Sequence, residues 1–156
     1  MKNATKKLYF AYGSNMNQAR LVARVGAVKK VGIMRLNEYS LVFDTAGKAT
    51  SVFANLQKTG NAKDFVEGVL YELTPAQIKI LDRYELFYNR VLENVGGKTI
   101  NIYICINALY KNTQKYKKPS PDYLNHLLQG AKENNLTATY EKIYKMIPPA
   151  GIVAKR

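Results

Sequence analysis

The chain has 156 residues, 47% of them hydrophobic, with 24 Lys+Arg against 11 Asp+Glu for a formal net charge of +13, which describes one globular domain rather than a disordered chain. Cys105 is the only cysteine and His126 the only histidine, which excludes an intrachain disulfide, a cysteine-based zinc site and a histidine-rich metal cluster. No apolar run nears the ~20 residues of a membrane span, and residues 1–11 lack the cleavage pattern of a signal peptide, so a cytoplasmic single domain over residues 1–156 that engages no membrane is expected.

Residues 7–12 form a short apolar and aromatic run, read as a buried strand, that breaks at the turn cluster Gly13-Ser14-Asn15. From Asn17 onward, Leu21, Val22 and Val25 share a helical face. Strand-like runs follow at 28–34, 38–43 and 50–56, separated by Asn37 and by Thr45-Ala46-Gly47. The longest strand candidate covers 65–73, where Gly68 marks a bulge or a close backbone approach. Thr74-Pro75-Ala76-Gln77 combines a capping box with proline at the first helical position, so a helix runs from there to about Tyr84 or Glu85.

Strands at 91–95 and 99–109 meet at Gly96-Gly97, a hairpin signal. Ser120-Pro121 opens a helix carrying Leu124, Leu127, Leu128 and Ala131, which stops at Asn134-Asn135; a last helix covers 137–146, before Pro148-Pro149. In the order β-α-βββ-β-α-ββ-α-α most strands lack an intervening helix. The expected fold class is therefore α+β, a mixed, largely antiparallel and curled sheet with helices packed on it.

Two places stand out for chemistry. At Tyr12-Gly13-Ser14-Asn15, between a buried strand and a helix start, the amides of residues 13–16 can converge on a carboxylate or an oxyanion. The same residues also suit an ordinary turn with Asn15 or Asn17 as the helix cap. Glu85 shares the face of Ile78 and Leu81, where partial burial would raise its pKa toward that of a useful general base. If the helix ends sooner, Glu85 simply faces solvent. Asp82 suits a pair with Arg83 or a lysine, and Glu67 and Glu72 lie on opposite faces of one strand. Ser14 has no partner histidine on a nucleophile elbow, His126 reads as a partly packed bystander between leucines, and Cys105 as a bystander in a strand. The positive charge would suit nucleic acid, but it is scattered, with short clusters only at Lys6-Lys7, Lys29-Lys30 and Lys115 to Lys118, so nucleic acid is disfavoured as a partner.

Leu8-Tyr9-Phe10-Ala11-Tyr12-Gly13-Ser14-Asn15-Met16 resembles the N-terminal signature of the γ-glutamylcyclotransferase family. Val69-Leu70-Tyr71 followed by Leu81-Asp82-Arg83-Tyr84-Glu85 resembles its second signature, and the segments Pro119 to Tyr123 and Gly130 to Asn134 are similar to its C-terminal portion. The resemblance implies a mixed sheet curled into a barrel-like form with flanking helices. It implies conversion of a small-molecule γ-glutamyl-amino acid to 5-oxoproline and the free amino acid, with no metal or cofactor, in a chain that can form a homodimer. It places the catalytic base on Glu85 and substrate contacts on Tyr9, Phe10, Ala11, Tyr12, Gly13, Ser14 and Asn15, with Tyr123 closing the site. Leu86 stands where relatives often have glycine, and Tyr88 follows shortly after, so a short loop shapes the leaving-group side. The alternatives are a cyclotransferase for γ-glutamyl amines or larger γ-glutamyl conjugates, and a non-catalytic binding module with a basic surface.

Overall fold

In the computed structural model, which describes residues 5–46, 52–111 and 118–147, the elements follow the expected order. They are β1 (Lys7–Ala11), α1 (Gln18–Val25), β2 (Lys29–Asn37), β3 (Tyr39–Ala46), β4 (Val52–Lys58), β5 (Phe65–Leu73), α2 (Pro75–Tyr84), β6 (Asn89–Val95), β7 (Lys98–Ile104), α3 (Pro121–Glu133) and α4 (Thr137–Tyr144). Short 3₁₀ turns stand at Ser14–Met16 and Ala108–Tyr110. The expected break at Gly47, residues 50 and 51 of the third strand run, Lys115 to Lys117 of the last basic cluster and the stop at Pro148-Pro149 lie outside the described residues.

Side chains fix the helix starts. Asn17 accepts from the Arg20 N–H at the start of α1, and Ser120 from the Tyr123 N–H at the start of α3. Thr74 and Gln77 form the reciprocal capping box of α2, with Pro75 in its first turn. One strand is shorter than expected: β7 stops at Ile104, not at residue 109. There the Asn55 side chain accepts from the Cys105 N–H and donates to the Cys105 carbonyl, removing both groups from any ladder. Asn107 then accepts from the Leu109 N–H and caps the 3₁₀ turn that follows.

The main sheet has the order β2-β5-β1-β7-β6. It is mixed because β1 runs parallel to β7, while its other pairings are antiparallel. β3 and β4 form a separate two-stranded sheet, so the expected barrel-like curl is an open arrangement of two sheets rather than a closed ring. The chain leaves the main sheet at Glu38, which sits at φ 67°.

β1 is flanked on both sides, and Tyr9, Phe10, Ala11 and Tyr12 are all buried. Gly68 of β5 makes the expected close approach: a Cβ there would stand 2.5 Å from the Ala11 carbonyl oxygen and 2.5 Å from Phe10 Cε1. The ladder irregularity lies elsewhere, between Lys30 and Gly32 of β2. Gly68 thus lets β5 lie against the end of β1, from which the turn at Gly13 springs. Among the described residues no helix is long and apolar enough to cross a membrane.

Candidate active site

The end of β1 delivers Tyr12 and Gly13 into the 3₁₀ turn. Within that turn the Met16 N–H donates to the Gly13 carbonyl and the Asn17 N–H to the Ser14 carbonyl. The first amides of the turn, those of Ser14 and Asn15, have no such intraturn acceptor. Of the expected set 13–16, the Met16 amide is thus engaged within the turn, and the Gly13 amide, like those of Ser14 and Asn15, has no acceptor there. Asn17, not Asn15, caps α1.

Asn15 is buried, and its side chain turns to the cavity instead. Its Nδ2 donates to the Tyr9 hydroxyl at 3.1 Å and toward Glu85 Oε1 at 3.4 Å. Its Oδ1 is buried without a hydrogen-bond partner among the described residues.

Glu85 occupies the C-cap of α2, its N–H donating to the Leu81 carbonyl. The helix keeps its period long enough for the side chain to follow Ile78 and Leu81 inward, and that side chain is only 16% exposed. Its Oε1 lies 3.8 Å from Arg24 Nη1. Burial pushes the Glu85 carboxyl up to about 7, against the opposing pull of Arg24 and then Arg20. The solvent-facing reading of Glu85 is thereby set aside.

Glu85 and the turn line one cavity of about 220 Å³. Of the residues expected to contact substrate, Tyr9, Phe10, Tyr12, Gly13, Ser14, Asn15 and Tyr123 line it; Ala11 does not, being packed against Gly68. The hydroxyls differ in what remains free. Tyr12 donates to the Tyr103 carbonyl, while those of Tyr9 and Tyr123 accept, from Asn15 and from the Ala54 N–H. The last two can still donate to a ligand. Burial holds all three phenols well above their ordinary pKa, so they stay protonated.

The cavity also takes residues beyond the expected substrate contacts. Arg20 and Arg24 stand one turn apart on α1 and both reach it. Arg24 lies over the Tyr84 ring, 5.0 Å from its centroid. The Arg20 Nε is buried with no partner among the described residues, and burial beside Arg24 lowers the pKa of its guanidinium. The i, i+4 arginine spacing was visible, but only the site gives it meaning. Leu86 and Tyr88, expected in the short loop after Glu85, both line the cavity with Phe87 between them, whereas Phe53, Ala54 and Tyr103 carried no signal. Tyr88 donates to the Ala54 carbonyl at 2.7 Å and Tyr123 accepts from its N–H at 3.0 Å, so two cavity tyrosines grip one residue of β4.

The remaining candidates lie elsewhere. Asp82 pairs with Arg90 at 3.0 Å, not with Arg83, and accepts from the Tyr103 hydroxyl. Glu67 accepts from the Thr139 N–H at the start of α4. His126 is exposed rather than partly packed, and Cys105 is buried.

The family described as gamma-glutamyl cyclotransferase, AIG2-like, matches residues 9–125. The chain is 29% identical to the gamma-glutamylcyclotransferase of Homo sapiens over 161 aligned positions, which take in 95% of this chain and 82% of that protein. It is 30% identical to the gamma-glutamylcyclotransferase of Mus musculus, over 91% of this chain and 79% of the relative. A solved structure of a gamma-glutamyl cyclotransferase superposes with a TM-score of 0.75 at 25% identity, covering 94% of this chain and 90% of the other.

Proposed function

The chain belongs to the gamma-glutamyl cyclotransferase, AIG2-like, family, and from that premise we propose that it converts a γ-glutamyl-amino acid to 5-oxoproline and the free amino acid, with Glu85 shuttling protons. The observation that carries this reading is the buried Glu85 carboxyl beside the Ser14–Met16 turn, 3.4 Å from Asn15 Nδ2, on one cavity.

The substrate carries its own nucleophile, since its α-nitrogen can close a five-membered ring on the γ-carbonyl carbon of the same glutamyl unit. The protein must then solve two problems. The chain has to be folded so that nitrogen meets carbon at about 3–3.5 Å. The α-ammonium, with an ordinary pKa of about 8, also has to lose a proton. A Glu85 carboxyl at about 7 is close enough to that value for the transfer to be nearly balanced.

The protons balance on this one residue. Glu85 takes a proton from the ammonium, and the neutral amine attacks. Glu85 returns that proton to the departing nitrogen as the old C–N bond breaks. It then takes a second from the ring nitrogen and passes it to the free amine, ending as a carboxylate. The Ser14 and Asn15 amides serve the substrate carboxylate or the oxyanion.

Charge favours an amino acid as the departing amine. Two guanidiniums, Arg20 and Arg24, face one carboxyl, Glu85. A γ-glutamyl-amino acid brings two carboxylates and one ammonium, the complementary excess, whereas a γ-glutamyl amine brings none. The test is incubation with γ-glutamyl-L-alanine, γ-glutamyl-ε-lysine or glutathione and detection of 5-oxoproline. Release from γ-glutamyl-L-alanine, lost in Glu85→Gln, is expected; undiminished release by that variant removes Glu85 from the reaction.

A further inference from the structure

The residues lining the cavity grade from buried through half-buried, Arg20, Arg24 and Tyr123 among the latter, to exposed. Tyr9, Phe10, Tyr12 and Asn15 are buried, while Tyr84, Leu86 and Phe87 are 53%, 72% and 36% exposed. These last three mark the mouth, and all are apolar or aromatic. The Tyr88 N–H donates to the Glu85 carbonyl, so Leu86 and Phe87 occupy the centre of a tight turn. The Phe87 ring lies 5.2 Å from that of Tyr110, itself partly exposed, which extends the apolar surface outward. Arg24, over Tyr84, braces the other side. Exposed apolar groups gathered at one opening are a recognition surface more than a solubility accident.

We infer that this mouth, on the leaving-group side that the family resemblance implies for the loop after Glu85, selects γ-glutamyl conjugates of bulky apolar amino acids. The inference rests on the cyclotransferase reading. In that reaction the glutamyl unit is the constant part of every substrate, and its α-nitrogen has to reach Glu85 while its carbonyl or carboxylate reaches the turn. Both lie on the inner side of the cavity. The amine is the part that varies and leaves, so it extends toward the opening. An alanine side chain placed there meets little of the Leu86–Phe87 surface, whereas a leucine or phenylalanine side chain covers it. Leu86 is the residue best placed to gain from that contact, being the most exposed of the three.

The experiment compares kcat/KM for 5-oxoproline release from γ-glutamyl-leucine, γ-glutamyl-phenylalanine and γ-glutamyl-alanine, in the unmodified chain and in Leu86→Gly and Leu86→Met. The ratio of two substrates on the same protein cancels any loss of folded enzyme. A preference of about tenfold or more for the bulky substrates is expected, in the range that hydrophobic subsites supply. Leu86→Gly should bring the ratio close to unity and Leu86→Met should keep it. Release of 5-oxoproline with no such preference, or a preference unchanged in Leu86→Gly, overturns the subsite and leaves the cyclotransferase reading standing. No 5-oxoproline from any of the three overturns both.

Discussion

The two walls of the cavity are held in different ways. One is a single stretch of chain: β1, laddered on both sides by β5 and β7, runs straight into the turn that carries Gly13, Ser14 and Asn15. The other is Phe53 and Ala54 of β4, in a sheet of only two strands, tied to the main body by side chains. Tyr88 and Tyr123 hold Ala54 there, and Asn55 clasps the backbone of Cys105. A wall fixed by a backbone ladder is held by several bonds at once, and it fails through packing rather than through the loss of a single polar atom. A wall fixed by single hydrogen bonds can be loosened by single atoms. Changes on the first side should therefore act on chemistry or on global folding, and changes on the second on the shape of the site.

The largest effect is expected at Glu85, where the ladder-held turn meets α2. Glu85→Gln should lower kcat by about 10²–10⁴, measured as 5-oxoproline release. The same variant should be more stable at pH 8. In the folded protein the carboxyl titrates near 7 rather than 4.5 because burial disfavours its charge. Folded protein thus binds the extra proton between those values, and stability falls as pH rises through them. Removing the charge should recover on the order of 1–3 kcal/mol above pH 7 and little at pH 4, read by urea denaturation. The activity should also fall on the acid side with a midpoint near 7, where Glu85 is protonated.

Gly68→Ala tests the ladder-held side as a structure. Its Cβ would meet backbone and ring atoms at 2.5 Å, and overpacking of this kind costs about 1–3 kcal/mol in chemical denaturation. Tyr123→Phe and Tyr88→Phe test the other wall. Each leaves one polar group of Ala54 without its partner, a loss of about 1–3 kcal/mol if water does not replace it. Because both act on one residue, the double variant should show less than additive loss. Additive losses would mean that Ala54 is not held jointly.

Gly13→Val is milder. A Cβ at Gly13 would stand 3.7 Å from the Tyr123 hydroxyl and 3.9 Å from Ala54 Cβ, ordinary contacts, so the chain should fold normally. The valine methyls fill the space between the two walls, and KM should rise by about tenfold. The smallest effect is at Arg24. Arg24→Met removes the strongest pull holding the Glu85 carboxyl down, so the acid limb of the pH profile should move upward, and KM should rise with the loss of one of the two guanidiniums, while kcat at the pH optimum persists.

Whatever depends on neighbours a few residues away was legible in the linear pattern. The capping box at Thr74 and Gln77, the strand-turn-helix at Gly13 and the seating of Glu85 on the face of Ile78 and Leu81 are short-range features, and each is present in the fold. What meets across the chain was not legible there and follows from how the elements pack. Asn15 reaches Glu85 over a separation of 70 residues, and Tyr123 reaches Ala54 over 69. Asn55 ends β7 early although residues 99–109 read as one strand, and Arg20 and Arg24 become a charged wall only because α1 lies beside the cavity. Local propensity fixes which backbone groups are satisfied within an element. Which polar side chains complete the rest depends on packing between elements, and a linear pattern does not encode that.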